Sequence, residues 1–356
     1  MIDSKCFESD WIRRQAGEIG CRNAVMLEKA IVALQLLGHL AESGLPFQFK
    51  GGTSLLLRLD PIRRLSIDID IVCQAAPQEL AKILDGVGIA PPFTRYVHNE
   101  RRDKDLPPKK HYNLYYPSVI EPKEDHILLD VMFDTVAPNC TSVPITTGFI
   151  EPLRAIQVMV PTIESLLGDK LTAFAPTTIG ILYHEDRKTD IVKQLFDVAA
   201  LFDAASDIQL AAEAYTEIHA KQLLYRQKSY SLEETLQDTI NAAYEITQRE
   251  LKGGNDSVNG KMLAIGVKSL QNHLVNVPFN IDRARIAAGK AACLAASMMR
   301  KRQDIMFGAV RFDKANVAAL KERQIAEPWL PLNRMRGANP EAFHYWLKTQ
   351  EILDNK

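Results

Sequence analysis

Two aspartates one residue apart, Asp68 and Asp70, lie in the run Ser66-Ile67-Asp68-Ile69-Asp70-Ile71-Val72. In an extended strand side chains alternate, so Ser66, Asp68 and Asp70 share one face and the three isoleucines the other. Neighbouring carboxylates on a half-buried sheet repel, and a divalent cation held between them removes the conflict. Hard oxygen donors with no histidine or cysteine beside them select Mg2+ or Mn2+ over Zn2+. A third acid is expected on a neighbouring strand. Asp130, inside the apolar run Ile127-Leu128-Leu129-Asp130-Val131-Met132-Phe133, is taken over Asp134, which shares its face nearer the strand end. Asp68, Asp70 and Asp130 are therefore the expected metal ligands, although a solvated strand face also accounts for Asp68 and Asp70 taken alone.

Upstream stands Lys50-Gly51-Gly52-Thr53-Ser54-Leu55. Gly51 and Gly52 allow backbone N–H groups to approach a ligand closely, and a helix expected over residues 53–59 would point its positive end at the same corner. An anion such as a triphosphate suits that corner, with Thr53 or Ser54 adding a hydroxyl. A plain tight turn explains the glycines by themselves.

A Gly-Gly turn, a spacer, an Asp-x-Asp strand and a later acid together resemble the nucleotidyltransferase superfamily of polymerase-β-like fold. With Arg64-Leu65-Ser66-Ile67-Asp68-Ile69-Asp70 and the downstream Gly168-Asp169-Lys170-Leu171-Thr172-Ala173, residues 45–203 more narrowly resemble the AbiEii/AbiGii branch, the toxin component of type IV toxin–antitoxin and phage-exclusion systems. The resemblance implies transfer of a nucleoside monophosphate from an NTP, assisted by Mg2+ or Mn2+, to a tRNA or other RNA, and a separately encoded antitoxin as partner. It implies Asp68, Asp70, Asp130, Lys170 and Asp197 as catalytic residues. Gly51, Gly52, Thr53, Ser54, Ser66 and Lys170 would hold the nucleotide, and Asp130 would complete the metal site or act as general base. Two departures stand out. The spacer before Asp68 is longer than the superfamily's, and the segment Lys193-Gln194-Leu195-Phe196-Asp197-Val198 carries Gln194 where the branch has an acid.

Lys170 falls within the helical stripe Ile163, Leu166, Leu167, Leu171 and Phe174, so it must either snorkel to water or meet an anion. Asp190, Lys193 and Asp197 share one face of a further helix, where a surface Lys193–Asp197 ion pair would be worth only ~0.3 kcal/mol.

These residues need elements to hold them. Short β-type runs recur between Phe47 and Val160 (Phe47 to Phe49, Ser66 to Val72, His111 to Tyr116, Ile127 to Phe133), with helices expected over Met26 to Leu40 and Pro77 to Gly86. Beyond Pro161 the periodicity is helical, as in 210–224, 232–251 and 281–299. The reading is an α+β protein: an N-terminal nucleotidyltransferase mixed sheet with flanking helices over 1–160, then an all-helical domain over 161–356 contributing Lys170 and Asp197 to the cleft. A basic stretch, Arg101 to Lys110, reads as a hairpin tip and a possible RNA contact, and Gly253, Gly254 and Gly260 mark a loop.

The 356 residues carry 46% hydrophobic and 24% charged side chains, a globular balance that excludes collagen-like and disordered classes. A formal net charge of −1 gives no global pull on nucleic acid, so RNA must meet a local patch. Five scattered cysteines form no C-x-x-C pair and read as reduced, structural thiols. The charged N-terminus and the expected lack of a membrane span point to the cytoplasm. No P-loop, serine-hydrolase elbow or histidine metal motif is present, and Arg300-Lys301-Arg302 reads as a helix end. Two rival functions remain: a non-catalytic binding protein on a decayed nucleotidyltransferase scaffold, and a nucleotidyltransferase acting on a small molecule.

Overall fold

The computed structural model describes residues 1–99, 109–137, 139–301 and 307–354. Seven strands form one mixed sheet: β1 (Phe47–Lys50), β2 (Ile69–Cys73), β3 (Arg95–His98), β4 (Lys109–Pro117), β5 (Glu124–Phe133), β6 (Cys140–Pro144) and β7 (Gln157–Pro161). Their spatial order is β3-β4-β5-β2-β1-β7-β6. The β2/β5 and β1/β7 pairs are parallel and the other four antiparallel.

Alternation along these strands produces two unlike faces. Phe49, Ile69, Ile71, Tyr112, Leu114, Tyr116, Ile127, Leu129 and Val131 are buried on one. Against it packs α2 (Ala24–Glu42), capped by the Asn23 side chain; α3 (Pro77–Val87), which starts at a proline, and α1 (Ser9–Glu18) pack on α2. Their intervening partners Lys50, Asp70, Leu128, Asp130 and Met132 are only half-buried on the other face. Among the described residues α2 is the one helix long and apolar enough to cross a membrane, and most of it is buried inside the protein. The sequence reading expected no such span. The sheet side of α2 explains the apolar run, because a helix packed on a two-stranded centre and a neighbouring helix is apolar most of the way round.

The chain divides into two compact units, Met1–Thr162 with Asn272–Val277, and Ile163–Gln271 with Pro278–Lys356. In the second, α4 (Ile163–Ala173), α5 (Lys188–Ala204), α6 (Ile208–Arg226), α7 (Leu232–Thr247), α8 (Val258–Leu270), α9 (Ile281–Met299) and a C-terminal helix (Pro340–Asp354) pack on one another. Asp207, Ser231, Ser257 and Asn280 cap four of them with side-chain oxygens, Ser231 in a reciprocal capping box with Glu234. Helix α4 meets α6 at Gly168, where a Cβ would stand 2.7 Å from the Tyr215 backbone nitrogen.

Several expectations change. The helix anticipated from Thr53 is a five-residue 3₁₀ turn, Thr53–Leu57, too short for an appreciable dipole. The strand anticipated from Ser66 begins at Ile69, because the residues before it pair elsewhere: Leu65 N–H donates to His273 O at 2.8 Å and Val275 N–H to Arg63 O at 2.9 Å. Gly260, expected in a loop, lies in the first turn of α8 and donates its N–H to the Ser257 cap at 2.9 Å. Helix α1 and strands β3, β6 and β7 were not anticipated. Of the basic stretch, residues 101–108 lie outside the described residues, as does Arg302.

Candidate active site

Strand register builds the site. Lys50 pairs with Asp70 across β1/β2, Asp70 with Asp130 across β2/β5, and Asp130 with His111 across β5/β4. Directly paired residues project to the same side, so Lys50, Asp70, Asp130 and His111 form one row on the more open face of the sheet. Adjacent strands lie ~4.8 Å apart, and two carboxylates at that separation repel by about 3 kcal/mol at an effective dielectric near 20. His111 relieves part of this: its Nδ1 is 2.6 Å from Asp130 Oδ1. The imidazole is 8% exposed and the Asp130 side chain 28%, so the shared bond is shielded while the carboxylate stays reachable. Lys50 Nζ lies 4.0 Å from Met132 Sδ, in the next row along the same face.

The glycine turn closes on this row. Gly51 has φ +76°, and a Cβ there would stand 2.0 Å from Asp70 Oδ2, so only glycine lets the chain pass over that carboxylate. At Gly52 a Cβ would meet Arg64 Nη2 at 2.6 Å and Ser66 Oγ at 2.9 Å. Arg64 is buried and donates from Nη1 to Leu65 O at 3.3 Å. The corner therefore gathers main chain, a guanidinium, the Ser66 hydroxyl and the Asp70 carboxylate.

Thr53 and Ser54 differ from expectation. Both are fully buried; Thr53 Oγ1 donates to Asp68 O at 2.5 Å and Ser54 Oγ to Gly51 O at 2.8 Å. Their hydroxyls donate to main-chain carbonyls and hold the turn to the strand entry. Asp68 is exposed and stands just before β2, outside the ladder. Asp134 follows β5 in a bend.

In the helical unit Lys170 on α4 meets Asp197 on α5, Nζ to Oδ2 3.4 Å, the side chains 6% and 1% exposed. The anion that Lys170 requires is thus a protein carboxylate. Asp197 is buried, not on a surface face, and Lys193 lies 3.5 Å from Asp190. His126 stacks beside Tyr115 at 5.4 Å and His184 caps a 3₁₀ turn, Glu185–Arg187, neither in the row. Burial pushes the thiols of Cys6, Cys21, Cys73 and Cys140 up and Cys293 up to about 12, which leaves no thiolate nucleophile among them.

Among the described residues no three His, Cys, Asp or Glu side chains stand together as a closed metal cage. A hard ion of the Mg2+ kind does not need one: it takes one or two carboxylates and completes its shell with phosphate and water oxygens. The paired Asp70 and Asp130, with a turn lacking a Cβ alongside, fit that mode. His111 was missed from sequence because its signal is its register opposite Asp130, which a lone histidine in a β-type run does not disclose.

Residues 35–270 match the family described as "Nucleotidyl transferase AbiEii toxin, Type IV TA system". No curated protein matches the chain. Among solved structures, MenT4, a nucleotidyltransferase toxin of Mycobacterium tuberculosis, aligns at 13% identity over 95% of this chain and 98% of its own, with a TM-score of 0.49. JHP933 of Helicobacter pylori aligns at 14% identity over 83% and 99%, TM-score 0.42. An antigenic nucleotidyltransferase-like protein of Paracoccidioides brasiliensis aligns at 14% identity over 55% and 88%, TM-score 0.36.

Proposed function

The chain belongs to the AbiEii family of nucleotidyl transferase toxins of type IV toxin–antitoxin systems, and from that membership we propose that it moves a nucleoside monophosphate from an NTP to an RNA, tRNA foremost, using Mg2+ or Mn2+. The observation that supports this reading is the pairing of Asp70 with Asp130 on adjacent parallel strands beneath a turn that only glycine can make there. Asp70 and Asp130 would hold the cation, with Asp68 as the exposed carboxylate at the entrance to the strand. When bound, such an ion draws charge from the triphosphate and acidifies the attacking hydroxyl.

The chain's own groups supply the rest. Backbone N–H groups of the Gly51-Gly52 turn, with Arg64 and Ser66 beside them, bind and orient the phosphates. The acceptor hydroxyl oxygen forms a bond to the α-phosphorus as the bond to the β-phosphate bridge oxygen breaks. Pyrophosphate leaves, and the hydroxyl proton passes to the Asp130 carboxylate or to water. Lys109 and Lys110, at the start of β4, and the basic sequence preceding them supply the local positive charge an RNA acceptor needs in a chain of net charge −1. We place the activity in the cytoplasm, where NTP and tRNA meet it, with a separately encoded antitoxin restraining it and defence against phage as its use.

Purified protein incubated with Mg2+, each labelled NTP in turn and total tRNA should label RNA. Asp70→Asn and Asp130→Asn should each lower transfer by roughly 10³-fold or more, as expected for loss of a group that stabilises transition-state charge, while melting stays near wild type. Growth inhibition on expression should disappear with them. Absence of labelling with every NTP overturns the transfer reading; labelling of a small molecule but no RNA overturns the acceptor alone.

A further inference from the structure

We infer that His111 is a positioning residue: its imidazole sets the Asp130 carboxylate for the divalent cation without touching the ion. The inference rests on the proposed transfer site and adds to it a residue that neither the sequence motifs nor the family description assigns.

Three observations carry it. His111 is directly opposite Asp130 in the β4/β5 ladder, so its placement is fixed by backbone pairing and does not depend on a long mobile side chain. The Nδ1···Oδ1 separation of 2.6 Å is that of a charge-assisted bond in which the ring N–H donates and the carboxylate accepts. The bond occupies one Asp130 oxygen at the far end of the row from Lys50 and leaves Oδ2 to be directed by the same rotamer. A carboxylate on a strand face has a soft χ2, and a bond that immobilises one oxygen removes that freedom before the ion arrives. His111 Nδ1 is taken up by Asp130 Oδ1 at 2.6 Å, so that nitrogen faces the carboxylate and not an ion.

The ring chemistry supplies a sharp test. Asparagine places an N–H donor at the position of the histidine Nδ1, whereas glutamine carries its donor one bond further out, at the position of Nε2. Mn2+ titrations of the full-length protein, followed by loss of the free-ion electron paramagnetic resonance signal, compare wild type, His111→Asn, His111→Gln and, as reference for an abolished site, Asp70→Asn. His111→Asn should bind within about threefold of wild type and His111→Gln about 10- to 100-fold more weakly, the range for losing a bond that orients a ligand. His111→Leu, apolar and similar in volume, should match His111→Gln and stands in if that variant misfolds. A purely structural role would lower the melting temperature of these variants without separating their Mn2+ affinities. Equal affinity in wild type and His111→Gln overturns the positioning role and leaves the transfer reading intact, and equal weakening in Asn and Gln does the same. Wild type binding no better than Asp70→Asn removes both.

Discussion

Gly51 shows how much one missing atom controls. Its φ of +76° and the 2.0 Å approach of an imagined Cβ to Asp70 Oδ2 are separate constraints. Gly44 has a similar φ of +77° and open space around it, so it carries the first constraint without the second. Gly44→Ala should cost about 1 kcal/mol of left-handed backbone strain and leave transfer unchanged. Gly51→Ala should cost about 1–3 kcal/mol and, by pushing the Asp70 carboxylate aside, lower transfer by roughly 10²-fold, the scale of a 1 Å misplacement. Thermal melts and the RNA-labelling assay on both variants check this; equal activity losses would falsify the assignment of Gly51 to the site. Of this corner, sequence disclosed the residue types. Gly51, Gly52, Asp70 and Asp130 were all singled out from spacing. It did not disclose that the Thr53 and Ser54 hydroxyls donate to main-chain carbonyls, because a hydroxyl's direction depends on which carbonyl lies nearby, here those of Asp68 and Gly51.

Elements were legible where periodicity is long. Helix α9 falls on the anticipated 281–299, and β5 and α4 lie within a few residues of expectation. Short edge pieces were not, because the four residues of β3 or the five of β6 hold too few alternations to stand out from coil. Nor could local sequence show that 272–277 returns to brace Arg63 to Leu65, a contact between segments about two hundred residues apart that sets where β2 begins. Helices α4 and α5 show a packing consequence of the same kind. Lys170 and Asp197 are buried together at 3.4 Å, so removing either leaves a charge without its partner. Lys170→Met should lower stability by about 3–5 kcal/mol, and the double variant Lys170→Met/Asp197→Leu should recover most of it. Denaturant melts test that recovery. If the double variant regains stability, its transfer activity decides a second matter: retained activity limits Lys170 and Asp197 to holding two helices, while lost activity supports a part for one of them in transfer, as the resemblance implies.

At the scale of the whole molecule the two units share an acid sensitivity with one physical origin. Burial holds the imidazoles of His39, His219 and His344 below the usual histidine range, more strongly than backbone hydrogen bonds to Pro91, Ser231 and Val310 pull them back. His39 belongs to the sheet unit and the other two to the helical one. In the unfolded chain each ring takes a proton near pH 6.5, whereas the native protein refuses it until lower pH. Stability is therefore fully present above pH ~7 and falls as pH drops below ~6.5, at up to about 1.4 kcal/mol per pH unit for each histidine, levelling once the native rings also protonate. Asp125 lies outside this window. Asp125 is raised by burial but held below its usual range overall by Lys29 at 2.7 Å and the His126 amide, so its contribution persists until the pH approaches the unfolded carboxylate range near 4. Melting temperatures at pH 7.5, 6.5 and 5.5 should fall in that order for wild type, and His219→Gln should flatten the decline. A constant or rising melting temperature over the same range would show that these rings titrate alike in the native and unfolded chains. The sign also bears on lost transfer in acid: if the fall in activity at pH 5.5 is removed by His219→Gln, it reflects unfolding.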